Sequence, residues 1–453
     1  MIINKVLKFN ILFVFGIALI TLIGCRLQSE NKKSLNEDYY FIKVDSQTID
    51  IVEKYEPPIF YNSTILNPII KSIQLSNESL NAVEPCYFLN SDKKVNVDFD
   101  LIESNPVPLQ YEIIHCNMSW EKSNLMEMEY LNGFSTNYIE DVELSHGTQE
   151  QYVHYHFKLP NENVEFIKSG NYILNVFYEN DNENPIFNLK FYVSEESAKA
   201  TFNITRTTDV EQRNYVHAVE LECNYNYNSV NDPYQNIFVC VQQNHQEFDE
   251  IWFSEPNFIR DDKLTFLPNE DRVFNGGNEF RFFDMSSFRT GGQNTRSINL
   301  ENNQYKVNLK SGNKRTYRQY LEYKDFNGKF FTRSFDNNDI ETQGEYGLVY
   351  FTLPMRKING EIYAFGQFSN WSTQEEFLMQ YDSINEQYFN NILLKQGYYN
   401  YIYVHKDKSG LNTRDIEGAH YDANNEYIIK VYYRDPLGLY DRLLHYQVYN
   451  TKT

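Results

Sequence analysis

Between Val95 and Leu101 apolar and polar residues alternate without a break: Val95, Val97, Phe99 and Leu101 fall on one side, Asn96, Asp98 and Asp100 on the other. A period of two marks a strand with one buried face. The same pattern predicts strands over 111–116, 152–159, 172–178 and 187–193, with Pro160-Asn161 and Ser169-Gly170-Asn171 as turns. A second block, 196–342, carries clear strands over 214–224, 236–242, 280–284 and 317–323. Phe326-Asn327-Gly328-Lys329 has the chemistry of a hairpin turn, and Asn275-Gly276-Gly277-Asn278 that of a bulge or sharp turn. A third block, 343–453, repeats the pattern over 347–353, 361–366, 391–395, 399–404 and 427–433. One short helix is expected, over 119–130. The stretch 117–150 breaks the rhythm of the first block, 61–195, and reads as a long insertion. The predicted architecture is all-β: three consecutive immunoglobulin-like or early-set β-sandwich domains.

Ahead of these blocks, Lys5 and Lys8 precede an uncharged run from Phe9 to Gly24, ending Leu22-Ile23-Gly24-Cys25. A basic start, a short apolar stretch and small residues at the end are the layout of a secretory signal. The Leu-x-Gly-Cys ending resembles a bacterial lipoprotein signal, in which Cys25 would be acylated. Two or more acyl chains on Cys25 would hold the protein stably to a membrane. Residues 1–24 are therefore expected to be the signal peptide and 25–60 a polar tether. Arg26-Leu27-Gln28-Ser29-Glu30 lacks a dense acidic run of the sort linked with export to the cell surface, so retention inside is expected.

Composition narrows the function classes. The 453 residues include 62 acidic and 41 basic ones, a net charge of −21, and the leader would remove two of the lysines. Nucleic acid is disfavoured as a partner, because binding it depends on Lys and Arg neutralising phosphates. The 37 Tyr and 33 Phe favour pleated, half-buried surfaces. Besides Cys25 there are Cys86, Cys116, Cys223 and Cys240, none in C-x-x-C spacing; disulfides or buried free thiols both fit an oxidising compartment.

In order along the chain stand His115-Cys116-Asn117 with Trp120, Glu129-Tyr130-Leu131 with Gly133-Phe134, and Tyr152-Val153-His154-Tyr155. Ser169-Gly170-Asn171-Tyr172 and Phe274-Asn275-Gly276-Gly277-Asn278-Glu279-Phe280-Arg281 follow. The set ends with Leu393 to Tyr401, Ile416-Glu417-Gly418 with His420, and Val431-Tyr432-Tyr433-Arg434. Together they resemble the plug-protein family of the type 9 secretion system, over nearly all of the chain beyond the leader. The resemblance implies a lipid-anchored outer-membrane protein facing the periplasm. It would occlude the periplasmic mouth of the giant translocon β-barrel when no cargo is in transit. Such work needs a complementary surface rather than reactive groups. No catalytic residue, metal, cofactor or small-molecule substrate is expected.

Other groupings were weighed for chemistry. His154 and His156 share a strand face with His115 and His146 nearby in sequence, but spacing alone does not make a metal site. Glu279 and Arg281 share a face and are expected to form a structural ion pair, beside Asp284. No nucleophile elbow, phosphate loop or dinucleotide motif is present. Phe365-Gly366-Gln367-Phe368-Ser369-Asn370-Trp371 with Gly397-Tyr398-Tyr399-Asn400-Tyr401 resembles early-set domains that bind glycogen and starch. That supports a rival reading, a carbohydrate-binding envelope lipoprotein in which Tyr399, Tyr401 and Tyr403 present a stacking face. For the plug reading, Trp120, Tyr130, Phe134 and Tyr138 in the insertion are the candidate partner contacts. The opposing role for these four is to pin the insertion to its own domain.

Overall fold

The computed structural model describes residues 63–77, 84–226, 229–253, 255–260, 262–436, 438 and 440–451, and the backbone of strands Tyr39–Asp45 and Thr48–Tyr55. The chain divides into a unit of residues 1–59 and a unit of residues 60–453. In the first, the two described strands pair antiparallel. The proposed leader, Cys25 and the remainder of the tether lie outside the described residues.

The second unit is all-β and holds three sandwiches. In the N-terminal one, strand Val95–Leu101 pairs with Ile70–Asn77 on one side and Val153–Leu159 on the other. The facing sheet is built on Leu109–Cys116, Gly170–Tyr178 and Phe187–Ser194. The apolar side of the alternation fills the gap: Val95, Val97, Phe99 and Leu101 are at most 1% exposed, and the rings of Phe99 and Tyr155 stack 5.1 Å apart. Residues 117–150 are not a loop. Strands Thr136–Tyr138 and Asp141–Leu144 extend the two sheets, and Leu131–Gly133 pairs with Val164–Phe166 in a separate ribbon. The helix expected over 119–130 shrinks to the single turn Glu127–Tyr130. Upstream, the Asn117 side chain accepts the N–H groups of Ser119 and Glu121 and holds the chain in a turn instead.

The expected boundary at 342/343 is not observed, because the second and third sandwiches are interleaved. Strands Ala198–Thr205, Val216–Tyr225 and Lys263–Phe266 form one sheet of the second sandwich. Its other sheet joins Ile237–Gln243 to the C-terminal strands Glu426–Arg434 and Asp441–Asn450. The third sandwich is therefore inserted into the second. It pairs Gly397–Asp407 with Arg281–Asp284, Phe330–Thr332 and Glu361–Phe365, against a sheet containing Gln304–Leu309, Tyr346–Pro354 and Gln387–Lys395. The strand expected over 317–323 is not a ladder strand. There the Tyr323 hydroxyl donates to the Phe280 carbonyl, 3.0 Å away. Phe326–Lys329 does turn, with Asn327 and Gly328 at φ 50° and 86°, but the next strand, Phe330–Thr332, pairs with Gly397–Asp407 and closes no hairpin. Gly276 is required for packing: a Cβ there would lie 2.2 Å from the His420 carbonyl oxygen.

The polar faces of several strands meet other sandwiches, not water. Asp100 is 1% exposed and takes Lys395 of the third sandwich at 2.6 Å, with the Tyr346 hydroxyl also at 2.6 Å. Burial alone would raise the Asp100 pKa; Lys395 and the His154 hydrogen bond outweigh it and hold it below the ordinary value. Arg442 of the second sandwich clamps Glu195 of the first with two hydrogen bonds, and the Tyr432 hydroxyl donates to Asn171. At the meeting point of all three, the Lys329 ammonium lies 2.9 Å from Glu84 and 2.9 Å from Glu426, and the Tyr446 hydroxyl also donates to Glu84. Removing one partner of a buried ion pair strands the remaining charge. Lys329→Met is expected to destabilise the fold by about 3–5 kcal/mol, read from denaturant unfolding at pH 7. The interleaving yields a second expectation. A fragment of residues 343–453 will not unfold cooperatively, since it lacks Arg281–Asp284 and Phe330–Thr332 beside Gly397–Asp407 and Ile237–Gln243 beside Glu426–Arg434, whereas one of residues 277–421 will, as thermal circular dichroism can check.

Candidate functional site

The exposed face of the N-terminal sandwich is organised by the ribbon Leu131–Gly133/Val164–Phe166. Leu131, Val164 and Phe166 point to the core, so Asn132 and Glu165, paired across the ribbon, point outward. Phe134 continues from this ribbon and is 76% exposed. The preceding helical turn is tied to it, because the Ser135 hydroxyl donates to Glu127 at 2.7 Å. That turn presents Met126 and Met128, 68% and 79% exposed. Tyr138, half exposed, donates its hydroxyl to Glu179, and Ile167 is exposed at the ribbon's end, where its N–H reaches the Tyr130 carbonyl.

The four aromatic candidates therefore separate. Phe134 and Tyr138 are both exposed, Phe134 beside the ribbon and Tyr138 on the edge strand Thr136–Tyr138. Tyr130 is not: it is 4% exposed, with its ring against His115 and Tyr172 and its hydroxyl on the Ile113 carbonyl. Trp120 is also turned inward. At φ 65° its ring packs edge-on to Tyr192, with the Lys190 ammonium 4.6 Å from the ring centre. Both rings pin the stretch to its surroundings, the opposing role weighed for them. Met126, Met128 and Ile167 were missed by sequence reasoning. For the two methionines the signal was apolar residues spaced singly among glutamates, Met126-Glu127-Met128-Glu129, where no core face could form.

The histidines and carboxylates singled out for chemistry are structural partners. His154 and His156 each face an aspartate, Asp100 at 2.8 Å and Asp98 at 2.6 Å. Arg281 pairs with Glu417 at 2.9 Å and not with Glu279, as the shared strand face suggested. Glu417 also receives Arg315 and the Tyr403 N–H; these partners outweigh burial and keep it ionised. Glu279 instead accepts from the Tyr320 hydroxyl and the Asn424 N–H. Asp284 accepts from Ser286 and from Arg333. The Tyr399, Tyr401 and Tyr403 rings are at most 5% exposed in the core of the third sandwich, so they offer no sugar-stacking face. Cys116, Cys223 and Cys240 are buried free thiols, Cys86 is buried as well, and burial pushes Cys116 and Cys223 up to about 12.

Among the described residues, Glu84, His245 and Glu426 bring three possible metal ligands together. The Lys329 ammonium already bridges the two carboxylates there and supplies the cationic charge. A cavity of about 520 Å³ opens beside this junction, with Lys190 at its wall held by Glu247 at 2.8 Å. Trp371 of the third sandwich borders it, stacked on His245 and packed against Phe365.

Comparison with known proteins places these features. Residues 70–195 match the family described as "Type 9 secretion system plug protein 1st domain". A solved structure, the "Crystal structure of a hypothetical protein from Parabacteroides merdae ATCC 43184 at 2.30 A resolution", is 30% identical with a TM-score of 0.84. The match covers 87% of this chain and 100% of that one. No curated protein matches the chain.

His115, in the matched region, makes a measurable electrostatic contribution. Burial lowers its pKa from 6.5 to about 4, against the pull of its hydrogen bond to the Ser169 carbonyl. Because the unfolded chain takes up a proton that the folded one refuses, stability is complete above pH 6.5 and drains as pH falls toward 4. Burial lowers His217 in the same direction. His115→Phe is expected to flatten the loss across this window by up to about 3 kcal/mol, measured by denaturant titrations at pH 7 and pH 4.5.

Proposed function

The chain belongs to the type 9 secretion system plug protein family, and from that premise we propose that it seals the periplasmic mouth of the outer-membrane export barrel between cargo transits. Membership ties it to type 9 secretion and to the cell envelope. The plugging role, the acylated Cys25 anchor and the periplasm-facing location are this proposal's own steps. One observation supports them most: the family-matched segment 70–195 carries the face with Met126, Met128, Phe134, Tyr138 and Ile167 exposed. Clustered exposed apolar side chains on a soluble body mark a contact surface. A seal works through buried area and shape, on the order of 1,200–2,000 Å² for a specific contact. His154, His156, Arg281, Glu279 and Asp284, the groups singled out for chemistry, are engaged in ion pairs and hydrogen bonds of the fold.

The reading separates contact residues from structural ones. Phe134→Ser with Met128→Ser is expected to leave the melting temperature within a few degrees and to weaken capture of the export barrel at least tenfold. Tyr130→Ala should instead cost about 3–5 kcal/mol of stability, as truncation of a buried aromatic does. Capture through a C-terminal tag, read beside thermal melts, distinguishes the two. Undiminished capture by the double variant would remove this face from the contact.

A further inference from the structure

We propose that the apolar face of the N-terminal sandwich docks on a protein surface whose apolar centre is rimmed by Lys and Arg, and not on an anionic bilayer. The inference rests on the plug reading and specifies the chemistry of its partner. The supporting observation is the charge around the face. From Ser123 to Phe157 the chain holds six acidic residues and no Lys or Arg, with the exposed Lys122 and Lys158 at its two ends. Glu127 and Glu129 lie on the helical turn between and beside the exposed methionines, and both are exposed. Glu165 stands outward on the ribbon opposite Asn132, and Glu179 accepts the Tyr138 hydroxyl. Glu140 and Asp141 follow Tyr138 directly and are also exposed. Lys168, the cation adjoining Ile167, is half-buried with its ammonium 5.3 Å from the Tyr440 ring.

Such a rim has two physical consequences. It repels a surface of phosphates or anionic lipid headgroups, so the exposed Met and Phe side chains are not a membrane-insertion device. It also draws a cationic rim toward it: charges at the edge of a contact raise the association rate and make it salt-dependent, while the apolar centre sets the dissociation rate. Glu127 and Glu129 accept hydrogen bonds from Ser135 and from the Met126 N–H, which holds the rim carboxylates beside the apolar side chains.

The test uses the full chain and the detergent-solubilised export barrel in a surface-based kinetic assay. Wild-type association is expected to slow about tenfold between 50 and 500 mM salt. A Glu129→Lys, Glu140→Lys, Glu165→Lys triple variant, which spares the Ser135 and Tyr138 hydrogen bonds, should slow association about tenfold at low salt with its melting temperature kept. Phe134→Ser should instead speed dissociation. Barrel binding that ignores both salt and charge reversal overturns this inference and leaves the plug reading standing. Absence of wild-type binding to the barrel removes the plug reading, and this inference with it. Co-flotation of a Cys25→Ser variant, which cannot carry the proposed acyl anchor, with vesicles containing 30% anionic phospholipid overturns the choice of protein over bilayer.

Discussion

A single ammonium group, that of Lys329, connects carboxylates of the two other sandwiches. Glu84 adjoins the N-terminal sandwich, Glu426 opens a strand of the second, and Lys329 precedes a strand of the third. Burial works against all three charges. For Lys329 the charges of Glu84 and Glu426 outweigh that cost and raise its pKa; for Glu426 the His245 ring, 3.6 Å away, and the Lys329 ammonium hold the carboxyl below its ordinary range. Such a triad adds little net stability over an apolar replacement. Its effect is on arrangement: any displacement of one sandwich exposes an unpaired charge in a partly dry interior. Asp100–Lys395 and Glu195–Arg442 apply the same constraint along two further edges.

This constraint explains where the sequence was informative. Alternation reports that one face of a strand is apolar, and the buried side of Val95–Leu101 followed from it directly. It does not report what the polar face meets. Asp100 and His154 looked like solvent-facing residues, yet they are buried against the third sandwich, as Lys430 is between the first and second. Interleaving was hidden for a related reason. Strand Glu426–Arg434 has the same pattern whether it pairs with its sequence neighbours or with Ile237–Gln243, nearly 200 residues away. Three sandwiches were legible, then, but not the closure of the second around the third.

The candidate site was legible to the same degree. Large aromatics in 117–150 were visible, but strands of three residues carry too short a period to fix their parity. One residue of slip exchanges the inner and outer sets. Parity in the folded chain sends Leu131 inward and leaves Phe134 outside, while Tyr130, at the end of the helical turn, falls between the sheets. Nor could composition separate Tyr399, Tyr401 and Tyr403 from a sugar platform. They alternate on one strand face, as such a platform would, and that face happens to be the core.

Fixed arrangement and exposed face belong to one mechanical argument. A reversible seal on a wide pore must resist deformation more than it must bind tightly, because a body that flexes at its joints leaks before it dissociates. Sandwiches joined only by flexible linkers move independently by default. Here chain interleaving joins the second and third, and buried ion pairs fix the first against both. Release in the proposed role is then a rigid-body event: the contact face lets go as a whole, and its lifetime is set by the apolar centre rather than by a hinge. In the same proposed role the acidic rim would serve the opposite step, return. Electrostatic attraction shortens the search for the mouth without deepening the bound state, so rapid re-closure and ready displacement can coexist on one surface.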